Sequence, residues 1–317
     1  MTWFSDLTGL ANDLFDTVQA GIRVEGEVLL CLANGRRLVA ERLSTPALGD
    51  LPPPPQGLDR ITVTEVVADI RALHADPANA GAVFQVASQF NLLEMIGPDI
   101  PPEAGIARYA TDLTQGPACA MACAAGTIWR AYFVPLGDQI GQSATRQLDM
   151  LADLGRALGN QGETLWQMRN GYALPRTGGL KAIAARIAKA DQGALARLLR
   201  IGVQRGTQVT LPDAGHLVHQ VYASALPIAY SNAPAADWEP FARLVLHAAY
   251  QATFAAALSL GAKRLFLTRL GGGAFGNPPD WITDAIAGAI HAYRAAQLEV
   301  RIVSHGRPNP DNHSLLT

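Results

Sequence analysis

Along the C-terminal half of the chain, short apolar runs typical of strands alternate with longer segments in which apolar positions recur at the helical spacing. The stretches "GHLVHQVYASALPIAYS", "KRLFLTRL" and "LEVRIVSHG" are short apolar runs rich in β-branched residues, and they predict strands. Two longer segments, from Asp237 to about Leu260 and over 280–297, follow the helical period of about 3.6 residues, and Asp237 and Asp280 are predicted to cap them. Strands that alternate with helices predict a layered α/β body with a largely parallel sheet.

The first part of the chain predicts an appendage and a connector. Residues 1–48 are expected to form an amphipathic helix and then a hairpin that turns at Asn34-Gly35, because Asn-Gly favours a tight turn. The prolines of "LGDLPPPPQG" cannot continue a helix or a central strand, so residues 49–60 are expected to be an extended connector. The body then covers residues 61–317.

Within the body, further segments have a predicted structure. Residues 62–76 have helical periodicity, and "AGAVFQVAS" (80–88) is a short apolar run that predicts a buried strand. The segment 116–133 predicts a helix with Pro117 at its first position, where the missing N–H has no consequence. Residues 143–205, rich in Leu, Ala and Arg, predict a mostly helical insertion that is interrupted by "RNGYALPRTGG".

The composition supports a large folded core and does not indicate an extended basic surface for binding polyanions. Of the 317 residues 49% are hydrophobic and 16% are charged, the formal charge is −2 and the pI is near 6.4. With this net charge, non-specific electrostatic binding to nucleic acid is not expected. The N-terminus has no basic region of a signal peptide, and no apolar run reaches the roughly 18 residues that span a bilayer. We therefore expect a cytoplasmic protein that does not contact membranes.

Neither the cysteines nor the histidines predict a metal site. Cys119 and Cys123 are one helical turn apart in a segment of small residues, so helix packing is favoured over a metal or redox role. His216 and His219 lack a third ligand. No metal site is therefore expected; separately, no cofactor is expected to be required.

The glycine-rich segment "LGGGAFGN" (270–277) follows a predicted strand and precedes a predicted helix. In open α/β sheets ligands collect where strands end, and glycines there allow main-chain amides to surround an anion. The segment fits neither a P-loop nor a dinucleotide-binding fingerprint. A tight turn without a ligand is the competing interpretation.

A second junction of this kind runs from the strand at 80–88 to the helix that begins at Gly116-Pro117. The first turn of that helix presents unpaired amides and the positive end of the helix dipole. Two such junctions could hold a diphosphate from both sides.

These segments resemble the macrodomain family, which binds ADP-ribose between two loops. Asn91 in "VASQFN" looks like the family's asparagine at the distal ribose, "TQGPA" (114–118) is the looser counterpart of the first loop, and "GGGAFGNP" matches the second, with Phe275 as its aromatic. The resemblance implies a three-layer mixed sheet flanked by helices, here with an N-terminal appendage and helical insertions. The implied ligand-binding residues are Asn91, Thr114, Gln115, Gly116, Gly271, Gly272, Gly273, Ala274, Phe275, Gly276 and Asn277.

The chain also departs from that family. It is longer than a minimal macrodomain, lacks the glycine-rich stretch that usually follows the asparagine, and lacks the paired glutamates of the poly(ADP-ribose) glycohydrolase branch. The ADP-ribosylarginine hydrolase macrodomains are one candidate for its nearest branch.

Two acidic residues are candidates for catalysis. Glu94 lies among apolar residues three positions after Asn91, and Asp112 immediately precedes the first loop. A carboxylate can stabilise the oxocarbenium-like state of ADP-ribosyl hydrolysis or activate water. A turn through the Asp112 side chain is the alternative, whereas Asp99 and Glu103, beside prolines, are expected to be surface acids.

Three further polar or aromatic residues have weaker assignments. Gln115 is expected either to donate to a phosphate or ribose hydroxyl or to be a turn amide in water. Tyr230 and Asn232, at the end of a predicted strand, are candidates for lining the same crevice, and for Tyr230 ordinary packing is the favoured interpretation.

The preferred function is an ADP-ribose-binding hydrolase that removes ADP-ribosyl groups from modified protein. A non-catalytic reader of ADP-ribose or a related nucleotide is the alternative. A third possibility is a scaffold protein in which both glycine loops are only structural.

Overall fold

A computed structural model describes residues 2–316, with fourteen strands and ten α-helices in that range. The strands are β1 (Ile22–Glu25), β2 (Val28–Cys31), β3 (Arg37–Val39), β4 (Leu43–Ser44), β5 (Thr62–Val67), β6 (Val83–Ala87), β7 (Pro135–Leu136), β8 (Gln139–Ile140), β9 (Trp166–Arg169), β10 (Tyr172–Pro175), β11 (Gly202–Gln208), β12 (Leu217–Ala223), β13 (Arg264–Leu267) and β14 (Glu299–Ser304). The helices are α1 (Trp3–Thr8), α2 (Phe15–Gly21), α3 (Ile70–Ala75), α4 (Gln115–Ala122), α5 (Ala124–Ile128), α6 (Ala152–Ala157), α7 (Gly179–Ile187), α8 (Gln192–Ala196), α9 (Ala235–Ser259) and α10 (Pro279–Ala292). A π-helix, Trp129–Phe133, continues α5.

The main layer is a seven-stranded mixed sheet in the order β4-β11-β12-β6-β13-β14-β5. Five neighbouring strands, from β12 to β5, are parallel, whereas β11 is antiparallel to both of its neighbours. The carboxyl ends of the five parallel strands therefore meet at one edge of the sheet. This confirms the predicted α/β class with a largely parallel sheet, and it is the edge at which such sheets bind ligands.

Helices cover both faces of this sheet, as consecutive residues of β6 demonstrate. Side chains alternate between faces along a strand. The Phe84 ring stacks on His74 of α3, with 3.8 Å between ring centroids, whereas the Gln85 amide donates to the Thr253 hydroxyl of α9 at 2.9 Å. Helices α3 and α4 pack together on the first face, and α9 packs with α7 and α10 on the second. The three-layer arrangement is thus confirmed.

The predicted helix over 62–76 is wrong in its first half. Residues Thr62–Val67 form β5, at the edge of the sheet, and only Ile70–Ala75 are helical. The stretch "TVTEVV" alternates between exposed and more buried positions, and its β-branched residues favour extended backbone. Asp69 then caps the helix by accepting the Arg71 N–H at 2.8 Å.

The predicted mostly helical insertion over 143–205 is also wrong. It contains the hairpin of β9 and β10, where Tyr172 pairs with Arg169 and Pro175 with Trp166, and the helices α6, α7 and α8 are short. The hairpin turns within "RNGYALP", at Asn170 and Gly171, which both have positive φ, as a tight hairpin turn requires.

Three helix starts differ from their predictions. Asp237 and Asp280 lie in the first turns of α9 and α10, after prolines, so they act on the helix dipole and do not cap the helices. Pro117 is the third residue of α4. The predicted single helix over 116–133 is broken at Cys123, whose φ and ψ are −122° and 59°.

The N-terminal segment packs against the α5 region through a second apolar cluster. Phe4 and Val18 are buried there with Ala125 and Tyr132. The predicted hairpin is present as β2 and β3, with the Gly35 N–H donating to the Cys31 carbonyl at 2.8 Å, and β1 adds a third strand. The prolines at 52–55 lie in neither helix nor strand. The domain boundaries remain a prediction, and their outermost residues, Met1 and Thr317, lie outside the described residues.

Between residues 2 and 316, no helix combines the length and apolar character that crossing a membrane requires. All three cysteines are buried and none forms a disulfide.

The buried His74 leads to a prediction about acid stability. Its Nδ1 lies 2.8 Å from the Ile70 carbonyl oxygen and its Nε2 accepts from the Gln220 amide at 3.1 Å, so the ring is neutral. Burial lowers the pKa of His74 to about 4. The unfolded chain, with an ordinary histidine pKa, binds this proton more readily, so the stability contribution is lost as pH falls from about 6.5 to about 4.

We expect this one group to lower the free energy of unfolding by about 3 kcal/mol across that window. Urea unfolding of the wild type and of His74→Gln at several pH values tests this expectation. In the difference between their free energies of unfolding, the contributions of the titrating groups that both proteins share cancel. An unchanged difference between pH 7.5 and pH 4 contradicts the assignment.

Candidate functional site

A cleft of about 400 Å³ opens at the carboxyl ends of β6, β12 and β13. Its walls are the segment 88–96 after β6, the start of α4, and the glycine-rich segment 268–277 after β13. Strand β13 pairs with β6 only as far as Phe84 and Phe266, so the two strands diverge toward the cleft. The sheet therefore opens at the point where the two predicted junctions meet.

The glycine-rich segment is both a tight turn and a source of free amides. The Asn277 N–H donates to the Gly271 carbonyl at 2.9 Å and the Gly276 N–H to the Gly273 carbonyl at 3.0 Å. Gly271 has φ +74°, and a Cβ there would lie 2.5 Å from the Cβ of Ala225. A side chain at Gly271 would therefore strain the backbone and also clash.

Three consecutive amides of this turn, in residues that line the cleft, have no hydrogen-bond partner among the residues described. The N–H groups of Gly273, Ala274 and Phe275 have no hydrogen-bond partner within residues 2–316, and all three residues line the cleft. Successive free amides of this kind form an anion-binding concavity.

The other three predicted residues of this segment, Gly272, Gly276 and Asn277, lie outside the cleft. Gly272 lines a neighbouring depression, Gly276 packs against Ala229, and the buried Asn277 donates to the Leu226 carbonyl at 2.8 Å. None of these three residues is part of the cleft lining, and the Asn277 side chain ties the turn to the segment that contains Leu226.

The start of α4 presents a second set of free amides. Thr114 is the N-cap but makes no side-chain capping bond, and the N–H groups of Gln115 and Gly116 have no partner in the described range. Thr114, Gln115 and Gly116 all line the cleft. With the positive end of the helix dipole, these groups favour an anion.

Gly116 and the Gln115 side chain hold this helix start against β6. A Cβ at position 116 would lie 2.0 Å from the Ala87 carbonyl oxygen, so only glycine fits. The Gln115 side chain accepts the Ala87 N–H at 2.9 Å and donates to the Gln85 carbonyl at 2.8 Å. It therefore occupies the strand edge that β13 leaves open, a role that the sequence did not suggest.

An aromatic wall, Tyr172, Tyr230 and Phe275, borders the cleft, with centroids 5.0 to 5.7 Å apart. The Tyr172 hydroxyl donates to the Met95 carbonyl at 2.7 Å. Tyr172 comes from the hairpin that was predicted as a helix break, which is why sequence reasoning missed it. Tyr230 lines the cleft as one of its two interpretations expected, whereas Asn232 does not.

Asp112 lines the cleft and also makes the turn that was its alternative role. One carboxylate oxygen accepts the Thr114 N–H at 2.9 Å, and the other has no hydrogen-bond partner among the residues described. Asp99 pairs with Arg169 and Glu103 accepts the Ala144 N–H, and neither lines the cleft. Asp112 is thus the carboxylate of the cleft that retains a free oxygen.

Glu94 borders the cleft but is fully buried in an ion pair. Both of its oxygens accept from Nη2 of Arg130, at 2.9 and 2.8 Å. Burial raises the pKa of Glu94 to about 7, and the Arg130 guanidinium opposes this increase. Two roles compete for such a group, a tuned acid and a structural anchor.

Asn91 lies within the segment 88–96, is fully buried and does not line the cleft. Its amide donates to the Gln147 side chain at 2.8 Å and its oxygen accepts the Leu93 N–H at 3.0 Å. In this structure Asn91 therefore shapes the loop. Between residues 2 and 316 no group of three or more His, Cys, Asp or Glu side chains could hold a metal ion.

No protein-family model and no curated protein sequence matches this chain. Several solved structures resemble it in three dimensions. A crystal structure of poly(ADP-ribose) glycohydrolase from Deinococcus radiodurans in complex with ADP-ribose has 11% identity, covers 82% of this chain and 83% of its own, and gives a TM-score of 0.42.

The glycohydrolase from Thermomonospora curvata has 15% identity, covers 94% of this chain and 93% of its own, and gives a TM-score of 0.45. The same enzyme bound to the inhibitor ADP-HPD has 14% identity, the same coverage and a TM-score of 0.42. Similarities of this size do not assign an activity.

Proposed function

We propose that the cleft binds ADP-ribose and that the protein hydrolyses ADP-ribosyl linkages there. The observation that carries this proposal is the pair of free-amide sets, Gln115-Gly116 and Gly273-Ala274-Phe275, which border the same cleft. A diphosphate offers acceptor oxygens to both sets and a negative charge to the dipole of α4. The volume of about 400 Å³ lies within the usual range for small-molecule sites.

The aromatic wall supports a ribose or a base beside the diphosphate. The faces and edges of Tyr172, Tyr230 and Phe275 offer an apolar surface to a sugar ring. This wall lies on the same side of the cleft as the amides of Gly273 and Ala274, because Phe275 belongs to both.

Asp112 is the catalytic carboxylate in this proposal. Its free oxygen either stabilises positive charge at the anomeric carbon or takes a proton from the attacking water, while the bond from that carbon to the modified side chain breaks. Glu94 is the weaker candidate of the two, because Arg130 holds both of its oxygens. The substrate is ADP-ribosylated protein.

We expect Asp112→Asn to lower turnover by roughly 100-fold or more while ADP-ribose affinity changes by at most about threefold. The asparagine keeps the oxygen that accepts the Thr114 N–H, so the loop should retain its shape. Calorimetry with ADP-ribose and release of ADP-ribose from arginine-, glutamate- and serine-linked substrates measure the two effects. Asp99→Asn, an exposed acid outside the cleft, is the matched control.

A non-catalytic reader is the second candidate. It is favoured by the ion pair that occupies Glu94 and by the start of α4, where Gln115-Gly116-Pro117 offers no acid to the cleft. Micromolar binding of ADP-ribose without release from any of the three substrates would identify a reader. If the wild-type protein binds no nucleoside diphosphate, both loops have only a structural role, as the scaffold hypothesis expects.

A further inference from the structure

Arg130 is a fully buried cation whose hydrogen bonds connect the cleft wall with the sheet. It lies in the π-helix Trp129–Phe133. Toward the cleft, Nε donates to the Leu92 carbonyl at 2.6 Å and Nη2 donates to both Glu94 oxygens. On its other side, Nη1 donates to the hydroxyl of Thr127 in α5 at 3.0 Å and to that of Tyr222 in β12 at 3.1 Å.

The segment that Arg130 holds is under backbone strain. Leu92 is buried and has φ +65°, a left-handed conformation that a leucine rarely adopts and that persists only where its surroundings enforce it. Arg130 binds on both sides of Leu93, through the carbonyl of Leu92 and the side chain of Glu94. A rigid guanidinium fork can fix two such points at once, which a lysine cannot.

This segment forms one wall of the cleft. Ser88, Gln89, Met95 and Ile96 line it on either side of the strained residue. Arg130 provides two anchor points between these flanking residues, in addition to the bonds that Tyr172 makes to Met95 and Gln147 makes to Asn91.

We propose that Arg130 is a positioning residue that fixes the 88–96 wall of the cleft and thereby sets its affinity for ADP-ribose. The inference rests on the proposed function for its ligand. Arg130 itself does not line the cleft, so any effect on binding passes through Leu92 and Glu94.

The first test compares Arg130→Lys with Tyr222→Phe. Both variants remove hydrogen bonds of the same buried cluster, but Tyr222→Phe leaves both anchor points intact. Calorimetry at a temperature where circular dichroism finds each variant folded should give a Kd at least about tenfold weaker for Arg130→Lys. The Kd of Tyr222→Phe should stay within about twofold of wild type.

The second test needs no ligand and so separates this inference from the proposed function. Amide hydrogen exchange of peptides covering 88–96 should be faster in Arg130→Lys than in wild type or Tyr222→Phe, because the wall loses its anchors. Unchanged exchange there, or wild-type Kd in folded Arg130→Lys, overturns the positioning role. If wild-type protein does not bind ADP-ribose, the proposed function fails and the exchange result still decides this point.

A third variant keeps the test decisive if Arg130→Lys does not fold. Combining Arg130→Met with Glu94→Gln removes both buried charges, which avoids an unpaired ion. Compared with Glu94→Gln alone, the double variant should bind ADP-ribose at least about tenfold more weakly and exchange faster over 88–96. Equal affinity and equal exchange in these two proteins contradict the proposal.

Discussion

Replacing Gly273 with glutamate is expected to abolish measurable ADP-ribose binding while the protein remains as stable as wild type. Gly273 is exposed, and a Cβ built on it meets no atom within 4 Å. Its backbone is not in the left-handed region, so a side chain is tolerated there. The unfolding free energy should therefore change by at most about 0.5 kcal/mol.

The loss of binding follows from charge. A carboxylate beside the free amides of Gly273, Ala274 and Phe275 would occupy the place of an anion and repel a diphosphate. Two like charges about 4 Å apart at a protein surface cost about 1 to 4 kcal/mol, depending on solvent exposure, and a diphosphate carries two. We expect Kd to rise by about 100-fold or more, as calorimetry at low and high salt would measure.

Gly273→Gln is the matched control, because it has the same shape without the charge. It should bind ADP-ribose within about tenfold of wild type, and added salt should narrow the gap between the two variants. If glutamate and glutamine reduce the affinity equally, the effect is steric. If neither changes it, the diphosphate does not bind at this turn.

Gly116→Ala is expected to have the largest effect on stability. The new Cβ would lie 2.0 Å from the Ala87 carbonyl oxygen and 3.0 Å from Cγ of Glu94. The first contact is with backbone, which cannot rotate away, so α4 must move off the end of β6. Overpacking typically costs about 1 to 3 kcal/mol, and a clash with backbone places this substitution at the upper end of that range. ADP-ribose binding should weaken because the amides of Gln115 and Gly116 move with the helix.

The control makes the same substitution in another helix. A Cβ at Gly288 in α10 would meet only the His247 ring, at 3.4 Å, which is an ordinary contact. Gly288→Ala should therefore stabilise the protein by roughly 0.5 to 1 kcal/mol through helix propensity. Thermal and urea unfolding of both variants measure the contrast, and similar values for the two would show that Gly116 is not in close contact with β6.

Predictions from the sequence succeeded where a segment has one strong local signal. The buried strand at β6, the long helix α9 and the final strand β14 follow from uninterrupted periodicity, and the free amides after β13 follow from glycine itself. They failed where neighbours in the fold override local preference. "TVTEVV" becomes an edge strand because β14 offers it a parallel partner, and the hairpin at Tyr172 forms inside a segment rich in helix formers.

The candidate site divides in the same way. Sequence determined the chemistry that the loops can offer: glycines whose amides are bare, a proline early in α4, and acids at Glu94 and Asp112. Only the tertiary structure decided which of these groups remain available. In the folded protein Arg130 forms an ion pair with Glu94, the backbone of β6 hydrogen-bonds the Gln115 side chain, and Gln147 hydrogen-bonds Asn91.

The physical reason is that hydrogen-bond partners distant in the chain satisfy a buried polar group, and a single sequence does not specify which partners those will be. Backbone geometry, in contrast, is largely local, so glycine and proline could be interpreted from the sequence alone. The sequence therefore determined that two loops could bind an anion. The fold decided that they meet at one cleft, and that Asp112 retains a free carboxylate oxygen there.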